Sequence, residues 1–402
     1  MTAAGARGRL PLEGVRVLDF THVLAGPFAT RILADMGADV VKVNSATRPG
    51  NTPASPYYAM WNRNKRALAL DMGREEARAL CRRLAERADV VIDNFSVGVL
   101  ERWGIGYESV REANPGVVYA AMSGMGERGP WSGFVSYAPT VHALAGLTYL
   151  TGVPGRADIG IGFSYNDHAS GLHGAVAVLA ALEARRRTGR GQRVDLSQFE
   201  VGVSLAAPAL LDYFANGRVV EPPGNRLPYD EAAPHGCFPC VGEDDRWVAI
   251  AVMDDAHWRA LRGVMGDPAW ARDPQYDTAA GRVADAGAVE MLVAAWTQGL
   301  DAYEVQARCQ AAGVPAGVVQ TGVDLARDPQ LAAGGFFGET EEPHPLLGRT
   351  FFDRLPLRFE RTPVTAYRRS RVLGEDSAAV LGDWLGLAQD EVRRGEAEGY
   401  LG

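Results

Sequence analysis

The residue with the sharpest chemical potential in this chain is Asp167. It opens the strongest helical pattern, which carries Leu172, Val176, Leu179 and Leu182 at helical spacing and ends in Arg185-Arg186-Arg187 before Gly189. An acid at the start, arginines in the last turn and Gly beyond match the capping and dipole rules. Spacing supports two readings of Asp167. It can be the N-cap of that helix. It can also be a carboxylate nucleophile, kept ionised at neutral pH by the helix N-terminus, with Gly160, Gly162 and Gly171 admitting a bulky substrate. Both stay open on spacing alone.

Other patterns are weaker. His235-Gly236-Cys237-Phe238-Pro239-Cys240 resembles half a zinc site. A structural site needs four ligands, usually as two spaced pairs, and Cys81 and Cys309 stand alone. No metal is expected, and the two cysteines read as buried residues at a strand entry. Thr21–Pro27 stands where a dinucleotide fingerprint would follow the first strand, but it has no G-x-G-x-x-G. Its Gly26-Pro27 turn can still offer free N–H groups to a phosphate. The chain has no P-loop and no G-x-S-x-G elbow.

These residues need a scaffold. The first 125 residues alternate apolar runs with helical patterns. Strands are expected at Val15–Phe20, Ala38–Val43, Ala67–Leu70, Val90–Phe95 and Val117–Met122, and helices at Gly26–Met36 and Arg74–Arg87. Such strand–helix–strand units imply an α/β fold with a parallel sheet covered on both faces. A glycine-rich stretch, Gly124–Gly133, precedes the Asp167 helix. Val194–Ser197 reads as a strand, followed by one helix through about Asn216. Val219–Pro234 holds four Pro in sixteen residues and reads as a linker. A smaller α+β unit follows at 235–322, with strands at Arg246–Val252 and Ala316–Gln320 and helices at Asp255–Met265, Val289–Leu300 and Tyr303–Ala312. Residues 323–402 start with an irregular stretch and close with helices at Ser377–Leu385 and Gln389–Gly399.

Composition sets outer bounds. The chain has 402 residues, 41 Lys+Arg and 49 Asp+Glu, so its formal net charge is −8. That argues against a nucleic-acid surface, which would show a basic excess. Apolar residues make up 47%, enough for a real core. Four cysteines make no disulfide framework, the opening residues lack a signal-peptide stretch, and the run Ala175–Leu182 is too short to span a membrane. A cytoplasmic protein that binds neither nucleic acid nor membrane is expected.

Eight segments in order resemble the class III CoA-transferases, the family of formyl-CoA:oxalate and carnitine CoA-transferases. They include LEGVRVLDFTHVLAGPFATRILADMGADVVKV, WNRNKRALALDM, ADVVIDNFSVGVLERWG, NPGVVYAAMSGMGERGP, and the most specific, YNDHASGLHGAVAVLAALEARRRTGRGQRVDLSQFE. The resemblance runs over nearly the whole chain. It implies a Rossmann-like large domain built from both chain ends, residues 1–218 and the return after 323, with 219–234 as a linker. The small domain is then 235–322, and the molecule an interlocked homodimer. The substrates are then an acyl-CoA and a small carboxylic acid, with no tightly bound cofactor. The family's catalytic acid falls on Asp167. The segment Thr21–Pro27 resembles the loop over the CoA moiety, which makes His22, Val23 and Ala25 expected contacts. Leu70, Asn94 and Arg102 match other CoA-holding positions.

Departures carry information too. Where relatives often end the second strand in an acid, this chain has Lys42-Val43-Asn44, and Ser45 follows where a basic residue is sometimes found. Lys42 and Arg48 are the candidates for the CoA phosphates instead. Leu24 replaces the Gln of the formyl-CoA enzyme, which favours a larger or less polar acid. Two alternatives share the resemblance. One is a 2-methylacyl-CoA racemase, which would need a His-Asp pair where this chain has Tyr137-Ala138, although His142 lies nearby. The other is a CoA-binding homologue without turnover.

Overall fold

The computed structural model describes residues 9–45, 55–227, 231–242 and 245–401. By contact, the chain divides into two compact units. The first comprises Met1–Leu147, Ile161–Ala207 and Ala332–Gly402, and the second Thr148–Gly160 and Pro208–Leu331.

The first unit opens with β1 (Arg16–Asp19), α1 (Ala25–Asp35), β2 (Asp39–Asn44), α2 (Pro56–Asn62), β3 (Arg66–Ala69) and α3 (Glu75–Ala85). It continues with β4 (Val90–Asp93), α4 (Val99–Arg102), α5 (Tyr107–Ala113) and β5 (Val118–Ala121). A long crossover carries α6 (Ala138–Leu144), then α7 (Leu147–Leu150), which runs into the Thr148–Gly160 segment of the second unit, then α8 (Tyr165–Thr188), before β6 (Gln192–Asp195) and α9 (Gln198–Leu205). The six strands form one parallel sheet in the order β3-β2-β1-β4-β5-β6.

That order reverses direction between β1 and β4. In open parallel sheets such a switch point leaves a crevice at the carboxyl ends of the strands, where ligands bind. Both faces of the sheet are apolar because side chains alternate along each strand. Leu18, Val41, Leu68, Val91 and Tyr119 face one core, packed under Leu80, Cys81 and Leu84 of α3. Val17, Val40, Val90, Ile92 and Val118 face the other, under Ala29 and Leu33 of α1 and Ala175 and Val178 of α8.

The second unit takes up α10 (Ala207–Asn216), β7 (His235–Pro239), β8 (Trp247–Ala251), α11 (Asp255–Val264), α12 (Ala279–Ala284), α13 (Ala286–Thr297), α14 (Ala302–Ala311) and β9 (Ala316–Val318). The three strands make an antiparallel sheet, β7-β8-β9, over a core of Phe238, Val248, Ile250, Trp258, Val289 and Val305. Cys237 lies inside β7 and is half-buried, as is Cys240 beyond it.

Helices α15 (Gly322–Arg327) and α16 (Pro329–Ala333) lead back to the first unit. There β10 (Phe337–Glu339) and β11 (Phe351–Asp353) form a hairpin, and α17 (Ser377–Leu385) and α18 (Gln389–Ala397) close the chain. The return is tied down by charge and by backbone. Asp353 accepts from Arg31 and Arg63, at 3.1 and 2.8 Å. Val380, Trp384 and Leu401 fill the first core, and Leu401 bridges to Leu70. Among the described residues, no helix is long and apolar enough to cross a membrane.

Candidate active site

A cavity of 710 Å³ opens at the switch point, within the range of small-molecule sites. Its walls come from the ends of β1, β2, β3 and β4 and from α2, and include Phe20, Val23, Asn44, Tyr57, Leu70 and Phe95. The loop after β1 shapes the floor. Asp19 is buried at the end of β1 and accepts hydrogen bonds from the Thr21 amide, the Thr21 hydroxyl and the Thr30 hydroxyl, at 2.8, 2.6 and 2.7 Å. Two buried ammonium groups flank it, Lys42 at 3.4 Å and Lys65 at 3.2 Å. Burial disfavours the Asp19 charge, but these lysines and hydroxyls outweigh it and hold the carboxyl well below the usual range. Burial also pulls Lys65 down to about 7, with Asp19 opposing and Lys42 reinforcing.

The next turn of the loop is strained. Val23 has φ 65°, a left-handed conformation that a β-branched side chain resists. It is held there by its neighbours. The Asn94 side chain accepts from the His22 amide and donates to the His22 carbonyl, both at 2.8 Å. The His22 ring packs on Phe95, with centroids 4.7 Å apart. At Gly26, a Cβ would lie 2.4 Å from the Thr21 side chain, so only glycine lets the loop fold this tightly onto α1.

Asp167 reaches this neighbourhood through the crossing of α1 and α8. Gly171, one turn below Asp167, lies so close that a Cβ would stand 2.7 Å from the Ala25 carbonyl oxygen. The N-terminal ends of the two helices are thereby brought together. Asp167 is the third residue of α8 and Ser164 is the N-cap, so the N-cap reading of Asp167 is corrected by three residues. Asp167 is 9% exposed, and its carboxylate has no ion-pair partner among the described residues. Burial pushes it up to about 6, with its own backbone N–H pulling the other way. It therefore remains largely ionised at pH 7. Tyr57, on the cavity wall, senses this charge. Burial and the nearby Asp167 carboxylate both hold the Tyr57 phenol protonated.

Two histidines adjoin the acid. The His142 Nε2 accepts the Asn166 backbone N–H at 3.0 Å, and burial keeps the ring neutral. It caps α8 and is committed there, so it does not supply the base that racemisation lacks at Tyr137-Ala138. The His168 Nδ1 donates to the Ser164 carbonyl at 2.8 Å, and its ring stacks on Phe163 at 4.9 Å.

The expected ligand contacts fall into three groups. His22, Val23, Lys42 and Leu70 line the cavity. Lys42 does so from a buried position, 2% exposed, with its charge turned to Asp19. Ala25 is buried as the first residue of α1, and Asn94 acts on the loop backbone. Arg102 is exposed on α4, and Arg48 lies outside the described residues. Leu24 is 2% exposed and forms the buried N-cap of α1. Tyr57, Tyr58 and Asn62 of α2 and Arg78 of α3 line the cavity without having been singled out. The signal for α2 was Ser55-Pro56, an N-cap type before a Pro at the first helical position.

The family model "CoA-transferase family III" matches residues 12–377. Succinyl-CoA–D-citramalate CoA-transferase of Chloroflexus aurantiacus is 32% identical over 394 residues, covering 95% of this chain and 96% of that protein. Succinate–glutarate CoA-transferase of Agrobacterium fabrum is 33% identical over 389 residues, with 93% and 95% covered. The crystal structure of a CAIB/BAIF family protein from Brucella suis superposes with a TM-score of 0.85 at 32% identity, over 94% of this chain and 100% of that one. With the six-stranded parallel sheet and the buried acid at the head of α8, this chain belongs to CoA-transferase family III.

Proposed function

We propose that the protein moves CoA from an acyl-CoA donor to a carboxylic acid acceptor, with Asp167 as the covalent relay. The observation that carries this reading is the Asp167 carboxylate itself. It is buried and unpaired by any cation among the described residues, and it lies close to the cavity-lining Tyr57. A structural carboxylate so buried would normally be paired.

The chemistry needs only a carboxylate. An Asp167 oxygen attacks the thioester carbonyl, the C–S bond breaks, and CoA leaves as thiolate, giving an aspartyl-acyl anhydride. The thiolate attacks the aspartyl carbonyl and releases the donor acid, leaving an aspartyl-CoA thioester. The acceptor carboxylate then displaces thiolate to form a second anhydride. Thiolate attack on its acyl carbon releases the new acyl-CoA and restores Asp167. No proton or electron is consumed. Water would divert each activated carbonyl to hydrolysis, which is why a buried relay suits the task.

The names of the relatives guide the substrate choice. We take succinyl-CoA as the first donor to test and short dicarboxylic acids, citramalate and glutarate among them, as the first acceptors. We also propose that Thr21–Pro27 lies against the CoA moiety and that the working form is a homodimer. Incubation with donor and then hydroxylamine should convert Asp167 to its hydroxamate, detected by peptide mass spectrometry. Asp167→Asn should lose transfer and trapping while staying folded. Transfer at the wild-type rate by that variant would end this mechanism.

A further inference from the structure

The cavity must accept a polyanion if CoA is the carrier, yet its most obvious cation is spent. Lys42 is buried against Asp19, and Asn44 and Ser45, which also line the cavity, are neutral. Arg78 lines it as well, on α3 just after the wall segment Leu70–Gly73 at the carboxyl end of β3. That is the edge of the sheet where ligands of this architecture gather.

The Arg78 guanidinium is already aimed. Its Nη1 donates to the Met72 and Gly73 carbonyls at 3.1 and 3.0 Å, and its Nε donates to Glu75 at 2.9 Å. Nη2 has no partner among the described residues. The side chain is about one-quarter exposed, neither buried away nor loose in solvent. Glu75 does not neutralise it fully, because the same carboxylate also pairs with Arg82 at 2.6 Å. One negative charge is shared between two positive ones, so the Arg78–Glu75–Arg82 group keeps a net positive charge, beside the wall carboxylate of Asp71 that accepts the Gly73 N–H at 3.0 Å. A guanidinium fixed in advance loses little freedom on binding and suits phosphate geometry.

Building on the transferase reading above, we propose that Arg78 binds a phosphate of the nucleotide end of CoA. Titration of the full chain with CoA, dephospho-CoA and a pantetheine thioester tests this. Arg78→Ala should weaken CoA about tenfold or more and leave the pantetheine thioester unchanged. If CoA and dephospho-CoA then bind alike, the contact is the 3′-phosphate. If both weaken by the same factor, it is the pyrophosphate. Glu75→Gln alters an exposed side chain and should tighten CoA severalfold by leaving Arg78 unshared, which keeps the test alive if Arg78→Ala folds poorly. CoA binding unchanged in both variants would overturn the proposal. So would an equal loss for the pantetheine thioester, since that would make Arg78 only a brace for the Met72–Gly73 loop. A wild-type protein that binds none of the three would instead overturn the transferase reading beneath it.

Discussion

Burial decides what Asp167 can do, because it sets both the charge on the carboxylate and the stability given up to keep that charge inside. The burial has a measurable cost. Asp167 moves from an ordinary 3.8 to about 6, so between those values the folded chain holds a proton that the unfolded chain has released. Stability therefore falls as pH rises through that window, and above it the full cost of about 2–3 kcal/mol is present. Asp167→Asn should raise Tm by a few degrees at pH 7.5 and leave it unchanged near pH 3.5, as thermal melts at the two pH values would show. An equal gain at both would place the effect elsewhere. Transfer should decline below about pH 6 as the nucleophile protonates. Asn94 makes a second prediction at this scale. Its side chain holds the N–H and the C=O of His22 beside the strained Val23, and so shapes the loop expected to lie against CoA. Asn94→Ala should release that strain and raise KM for acyl-CoA about tenfold with little change in kcat, since two hydrogen bonds of about 1 kcal/mol each are lost. An unchanged KM would mean the loop needs no clamp.

Elements were most legible where period and burial agree. The five strands of the first 125 residues and the helices α1, α3 and α8 were all expected, each within a few residues, because a sheet buried on both faces demands short continuous apolar runs and the helices an apolar stripe. The short helices were missed. α2 has seven residues and α5 seven, too few for a periodic signal, and their stability comes from packing rather than propensity. The single helix expected through Asn216 is two, α9 and α10, broken at Ala206, and Pro208 marks the break, since proline fits the first turn of a helix and not its interior. Nor could spacing show why α8 carries glycines. Gly171 sits where a Cβ would meet the Ala25 carbonyl at 2.7 Å and the Phe28 ring at 2.8 Å. A backbone carbonyl cannot turn aside, so Gly171→Ala should cost about 1–3 kcal/mol despite the better helix propensity of alanine. It should also lower kcat by displacing Asp167. Gly263 in α11 is the internal contrast, because nothing lies within 4 Å of a Cβ there. Gly263→Ala should stabilise by about 0.5–1 kcal/mol. Melting curves of the two variants decide the matter, and shifts of the same sign would refute the close-approach argument.

At the scale of the whole molecule, the charge and the surface pull in different directions. A net charge of −8 keeps copies of the chain apart at long range. Yet α10 has no buried residue, and Leu210, Leu211, Tyr213 and Phe214 all face outward, with Leu211 67% and Phe214 79% exposed. Ten residues are too few to hold a helix in water by propensity alone. An apolar helix with no cover among the described residues is a surface awaiting one. In the sequence, the apolar residues between Leu210 and Phe214 look the same whether the chain's own residues or another copy bury them. The homodimer proposed above would supply that cover. Association driven by apolar burial against a like-charged partner should strengthen with salt, because salt screens the repulsion and leaves the apolar term intact. Sedimentation velocity at micromolar concentration should therefore find a dimer that persists from low salt to about 1 M. Leu211→Glu with Phe214→Glu should dissociate it, since charges facing each other across the contact cannot be desolvated cheaply. A wild-type monomer at both salt levels, or a double variant as dimeric as its parent, would mean that α10 is covered by something other than a copy of this chain.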